Sequence, residues 1–182
     1  LGSDVLLGSG VYIFGQANGS NATNFNGYNG EFHGLGHSVK GFNVTNAVSV
    51  VTGFSGTQAA APFLSYQVWG TLIRDVTIDK PVINISAPTS SGMLVSGLLG
   101  QSRFAGVGGS ATAAGSRTTV SGVYVVDADF SLTKLPNGTP TVAGIVAGNA
   151  FTFAAPGSLV VQDSLVTGKF AIESNNNVTN FS

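Results

Sequence analysis

The sequence predicts an all-β fold built as a stack of similar coils, and three observations carry that expectation. The first is an internal repeat. Gly97-Leu98-Leu99-Gly100 recurs 47 positions on as Gly144-Ile145-Val146-Ala147-Gly148, and Val76-Thr77-Ile78 recurs at the same spacing as Val123-Tyr124-Val125. Self-similarity at a period of 20–50 residues marks units that bury a continuous core only by stacking. The second is composition. Only 8% of residues are charged, against roughly 25% in ordinary domains, and Gly (26), Ser (20), Thr (16) and Asn (14) take their place. These are poor helix formers. The third is patterning: 43% of residues are apolar, grouped in short β-branched runs between glycines, the rhythm of strands and tight turns rather than of disorder.

Along the chain, Gly10-Val11-Tyr12-Ile13-Phe14 reads as a strand, and the polar stretch from Asn18 to Asn26 as a surface loop. From Tyr28 to Val44, glycines punctuate single apolar residues, which predicts short strands and tight turns. Four strand units follow: Phe42 to Val51, Val76 to Ile85, Val123 to Leu132 and Asp163 to Ile172, spaced by 34, 47 and 40 residues. Second strands are expected at Met93 to Leu99 and Val142 to Val146. The variable spacing falls in loops at Pro88 to Gly92, Gly106 to Arg117 and Leu135 to Pro140, as outward insertions in a solenoid would. Residues 173–182 read as a polar tail. The whole chain of 182 residues is long enough for one domain with its own core.

Seven Asn-X-Ser/Thr acceptors occur, at Asn18, Asn21, Asn43, Asn84, Asn137, Asn177 and Asn180. The Asn, Ser and Thr content would produce about three by chance. In Phe42-Asn43-Val44 and Ile83-Asn84-Ile85, strand alternation puts the asparagine on the face opposite its apolar neighbours, toward solvent. The expectation is a secreted or cell-surface glycoprotein, with glycans supplying the solubility that charge does not. Net charge is −1, which gives no attraction for nucleic acid or an anionic membrane. No apolar run approaches a transmembrane helix, and no signal peptide opens the chain. There is no cysteine.

Residues Phe32-His33-Gly34-Leu35-Gly36-His37-Ser38-Val39-Lys40-Gly41-Phe42-Asn43-Val44 resemble the opening coil of right-handed β-helix surface proteins. The two glycine-bounded segments at 97–100 and 144–148 resemble the "GLUG" repeats of bacterial and protist adhesins. The resemblance covers about Tyr28 to Ile172. The chain departs from the pattern in its irregular spacing and in lacking a cysteine in the following strand. The resemblance implies a secreted or surface-displayed scaffold and carries over no catalytic residue.

Candidate chemistry is sparse. His33 and His37 lie four apart in a glycine-punctuated turn, where they do not share a face, and only Glu31 accompanies them; no metal site is expected. Asp127 and Asp129 sit two apart on one strand face, without the second carboxylate pair or the cleft that glycoside chemistry requires. Asp75 and Asp79, with Arg74 and Lys80, read as charges near a strand end. The glycine-rich stretch Ala105 to Gly115 has neither a Walker lysine nor a dinucleotide fingerprint. No enzyme activity and no cofactor are expected. Phe63, Tyr66 and Trp69 cluster before Gly70. They read first as a cover over an end or edge of the stack, and second as a platform for sugar rings at Tyr66 and Trp69.

Taken together, these features predict a right-handed parallel β-helix of about seven or eight coils, at roughly 20–25 residues each, with a two-sheet β-sandwich as the alternative. A solenoid has two open strand edges. With Leu1 to Phe14 available for strand exchange, the expected partner is a second copy, joined head to tail into a surface filament, sheath or adhesin stalk. Val11, Tyr12, Ile13 and Phe14 at one end and Leu165, Phe170 and Ile172 at the other would carry that assembly. The alternative is a glycan-binding or adhesion module of a larger surface protein, contacting surface polysaccharide.

Overall fold

The computed structural model describes residues 1–8, 31–45, 51–52, 58–63, 72–86, 93–100, 102–104, 117–135, 141–147, 149–151, 158–174 and 180–181. The described chain is all-β, without a helix. Its strands are β1 (Val5–Leu6), β2 (Glu31–His33), β3 (Ser38–Lys40), β4 (Asn43–Val44), β5 (Val51–Thr52), β6 (Gln58–Ala60), β7 (Leu72–Asp79), β8 (Val82–Ser86), β9 (Met93–Ser96), β10 (Ser102–Phe104), β11 (Arg117–Leu135), β12 (Thr141–Ala143), β13 (Asn149–Phe151), β14 (Ser158–Gln162), β15 (Leu165–Ser174) and β16 (Asn180–Phe181).

Nine strands form a large parallel sheet with the path β1-β3-β7-β11, which β14 and β15 extend and β2, β4 and β8 flank. A five-stranded sheet runs β16-β12-β9-β6-β5, and β10 pairs with β13. Among the described strands only β5 and β6 pair antiparallel. From β3 onward the described chain passes from the large sheet to the smaller one and returns one strand further along, so that β3, β7, β11 and β15 alternate with β6, β9, β12 and β16. Parallel neighbours need such a crossover, because a hairpin can join only antiparallel strands.

The repeat of the sequence is the register of the sheet. Val76 lies beside Val123, Thr77 beside Tyr124 and Ile78 beside Val125. Leu99 bridges to Val146 and, on its other side, to Phe63. Like therefore stacks on like, and the core is continuous from strand to strand. One column of the large sheet runs Val5, Val39, Ile78, Val125, Val166.

Three expectations are corrected by the registers. Glu31 pairs Leu72, Val76 pairs Val123 and Arg117 pairs Ser158, so successive layers of the large sheet are separated by about twice the 20–25 residues assumed per coil. The described ladder is five strands deep, from β1 through β3, β7 and β11 to β15, not seven or eight coils. The unit starting at Phe42 is also misaligned. Asn43 pairs Val82 rather than Thr77, whose partner is Ser38. The fourth unit slips by one, since Leu165 pairs Tyr124. Short apolar triplets alternate alike wherever they occur, so sequence spacing selected the wrong pair.

Left-handed residues reset the strands. Asp75, Gly122 and Asp163 all have positive φ (56°, 61° and 50°), and the registers on either side align them from layer to layer. Gly41, Lys80 and Asp127 (77°, 52°, 52°) form a second such column. Each inserts one residue into the alternation, as a bulge does. Buried positions therefore step by three across it: Ile73 to Val76 across Asp75, and Val120 to Val123 across Gly122. Asp127 and Asp129 are both exposed, on either side of buried Ala128, so they share the solvent face. Asp127 occupies the left-handed position, and Asp129 continues the ladder opposite Lys169 and Val82.

The inward positions are almost wholly apolar. Val39, Val44, Ile78, Ile83, Val125, Phe130 and Leu132 are buried in one cluster that also takes Ala60, Val95 and Val142 from the smaller sheet. Phe63 is buried there too, with its ring edge-to-face on Phe32 at 4.9 Å. The glycines of the repeated segments explain themselves at this junction. A Cβ on Gly97 would meet the Gly144 carbonyl oxygen and lie 2.6 Å from Val125 Cγ1; one on Gly144 would lie 2.6 Å from Val166 Cγ2. Gly97 N–H donates to the Gly144 carbonyl of the next layer, and Val125 of the large sheet lies too close to Gly97 to leave room for a side chain.

Candidate functional site

The ladder has two ends, and they differ. At the first, β1 lies parallel on β3, with Val5 beside Val39 and Leu6 beside Lys40. The ladder is two residues long, and Asp4 reinforces it. Its Oδ1 accepts the Ser38 backbone N–H at 2.8 Å, and its Oδ2 accepts from Lys40 Nζ at 3.2 Å. His37 Nδ1 is 3.5 Å from Oδ1. The Ser38 hydrogen bond first, then Lys40, holds the Asp4 carboxyl below its ordinary value. Leu1 and Leu7 pack on the core, while Leu6 is 80% exposed.

Next to this clamp, the Arg74 guanidinium donates to His33 Nδ1 from Nε (3.1 Å) and Nη2 (2.9 Å). His33 Nε2 then carries the proton and donates to Glu31 Oε2 at 2.9 Å. Arg74 Nε is also 3.7 Å from Asp75 Oδ2. Glu31, Arg74 and Asp75 are exposed, and the Arg74 charge is offset by the Asp75 carboxylate. Both histidines are thus held by side-chain contacts, and no group of three or more His, Asp or Glu able to hold a metal occurs among the described residues.

At the other end, β14 and β15 pair with β11 on one side only among the described residues. Val161 (43%), Leu165 (54%) and Phe170 (39%) are exposed there. A cavity of about 720 Å³ opens beside them, lined by Val142 to Val146 with Leu159, Val161, Val166 and Phe170. No lining residue is charged. Phe170 is anchored from below by an edge-to-face contact with Phe130 at 5.1 Å. Ile172 packs half-buried against the core.

Of the residues singled out from the sequence, Leu165, Phe170 and Ile172 come together at this end. Val11, Tyr12, Ile13, Phe14, Tyr66 and Trp69 lie outside the described residues, as do the acceptors Asn18, Asn21, Asn137 and Asn177. Asn180 lies in β16. Asn43 and Asn84 alternate with buried neighbours as expected, but each is only half-exposed, and its Oδ1 is buried without a hydrogen-bond partner. The sequence reading missed the Asp4 clamp and the cavity. Asp4 meets partners 34 and 36 residues away, and no local pattern marks such a contact.

No helix of the described residues is long and apolar enough to cross a membrane. No protein-family model, no curated protein and no solved structure matches the chain.

Proposed function

We propose that this chain is an extracellular structural glycoprotein, folded as a right-handed parallel β-solenoid and serving as a subunit of a surface filament, sheath or adhesin stalk. The observation that carries this reading is the ladder itself. Among the described residues, parallel strands stack in register through five layers, and the outer edge of the last layer carries apolar side chains that face solvent. An uncovered edge of that kind is a template for another chain. Right-handed winding follows from the strong preference of parallel crossovers for that hand. The low charge and the seven acceptor sequons support a glycosylated, secreted setting.

Electron microscopy of the native purified protein in dilute neutral buffer tests the function. Regular filaments are expected; dispersed particles at all concentrations would overturn the structural-polymer reading. Intact mass before and after enzymatic removal of N-glycans tests the second half. A loss of several glycan masses is expected, and an unchanged mass would remove the glycoprotein assignment.

A further inference from the structure

We infer that the β14–β15 end receives the β1 end of a second copy, in one register: Val166 beside Val5 of the next molecule. This rests on the filament reading and deepens it by naming which ends meet and how.

The column of the large sheet decides the register. Val5, Val39, Ile78, Val125 and Val166 are stacked neighbours, each pair parallel. Among the described residues, Val5 stands at one end of that column and Val166 at the other. A copy translated along the column presents its Val5 strand parallel to β15 and continues the ladder with the geometry of the four existing pairs. Two copies related by a two-fold axis would instead face β15 to β15, antiparallel, and break the column. The apolar surfaces agree with the translation. Val161, Leu165 and Phe170 are exposed at the receiving end, beside a cavity without a charged lining residue. Leu6 and Leu35 are the exposed large apolar residues at the other. A head-to-tail contact of unlike surfaces does not close on itself, so it propagates.

The chain has no cysteine, so introduced thiols report one contact cleanly. In the inferred register, Thr167 neighbours Leu6 of the next copy. Adjacent strands lie about 4.7–4.9 Å apart, within the roughly 4.4–6.8 Å between Cα atoms that a disulfide accepts. Leu6→Cys and Thr167→Cys are made separately, mixed and oxidised. A disulfide dimer is expected only from the mixture, and a ladder of covalent multimers from the double variant. Val161→Lys, at a position already exposed, is expected to lower the cross-linked yield about tenfold while thermal unfolding stays that of the parent. Filaments without this cross-link would overturn the register and leave the filament reading standing. Cross-linking of Thr167→Cys alone would overturn it in favour of tail-to-tail pairing. Neither filaments nor cross-links would overturn both.

Discussion

Gly122 sits beside Asp75 at the same left-handed position of neighbouring strands, with φ of 61° and 56°. A Cβ on Gly122 would lie 2.9 Å from Asp75 Oδ1. The two residues show what that position demands: a backbone that L-side chains resist, in a space already taken by the neighbouring carboxylate. Asp tolerates this conformation better than most residues, and glycine best.

Gly122→Val therefore adds left-handed strain and a collision, and should destabilise the protein by about 1–3 kcal/mol. Asp163→Gly, in the same column at φ 50°, relieves strain instead and should fall within about 0.5 kcal/mol of neutral or above it. Urea denaturation of the two variants checks the opposite signs.

Gly97 makes a different demand. Its φ is ordinary, yet its Cβ would overlap the Gly144 carbonyl and Val125. Gly97→Ala should cost about 1–3 kcal/mol through overpacking, whereas Gly2→Ala, with nothing within 4 Å of the added atom, should be near neutral. Thermal melts of the pair separate crowding from the general preference of chains for alanine over glycine.

Phe130 is buried and Phe170 is 39% exposed, though their rings touch. Phe130→Ala should lose about 3–5 kcal/mol by emptying the core. Phe170→Ala should lose clearly less, since part of its ring is already in water. Equal losses would mean that Phe170 is covered in solution, which comparison at low and high protein concentration would expose as assembly.

The Asp4 clamp sets a pH dependence. Its carboxyl is held below the unfolded value of 3.8. The stability it contributes is present above that value and is lost as pH falls through the folded pKa. The protection factors of the β1 amides, relative to intrinsic exchange at the same pH, should fall on acidification through that range, before those of the β7–β11 ladder. Asp4→Asn should give the lowered β1 protection already at neutral pH. Because Asp4 is exposed, the effect is confined to this edge.

Much of this architecture is readable from the chain. The triplet at 76–78 and the one at 123–125 stack in direct contact, because a parallel stack places equivalent residues on one another and so favours the same residue at each level. Val76 and Ile78 alternate inward, as their spacing implied. Leu165, Phe170 and Ile172 lie together on β15. Phe63 did not reveal its place. An aromatic cluster before Gly70 has the same composition on a surface or in a core, and only the stacking of Phe63 between Phe32 and Leu99 puts it inside.

What the sequence determined by itself was the all-β class and the pairing of like segments 47 residues apart, since both depend on composition and on local alternation. What only the tertiary structure decided was the depth of the stack, the register of Phe42 and Asp163, the left-handed columns and the clamp at Asp4. Those features depend on where the chain returns after a crossover of some 40 residues. A local pattern carries no length for that excursion, so identical strands can pair at several offsets until the packed core selects one.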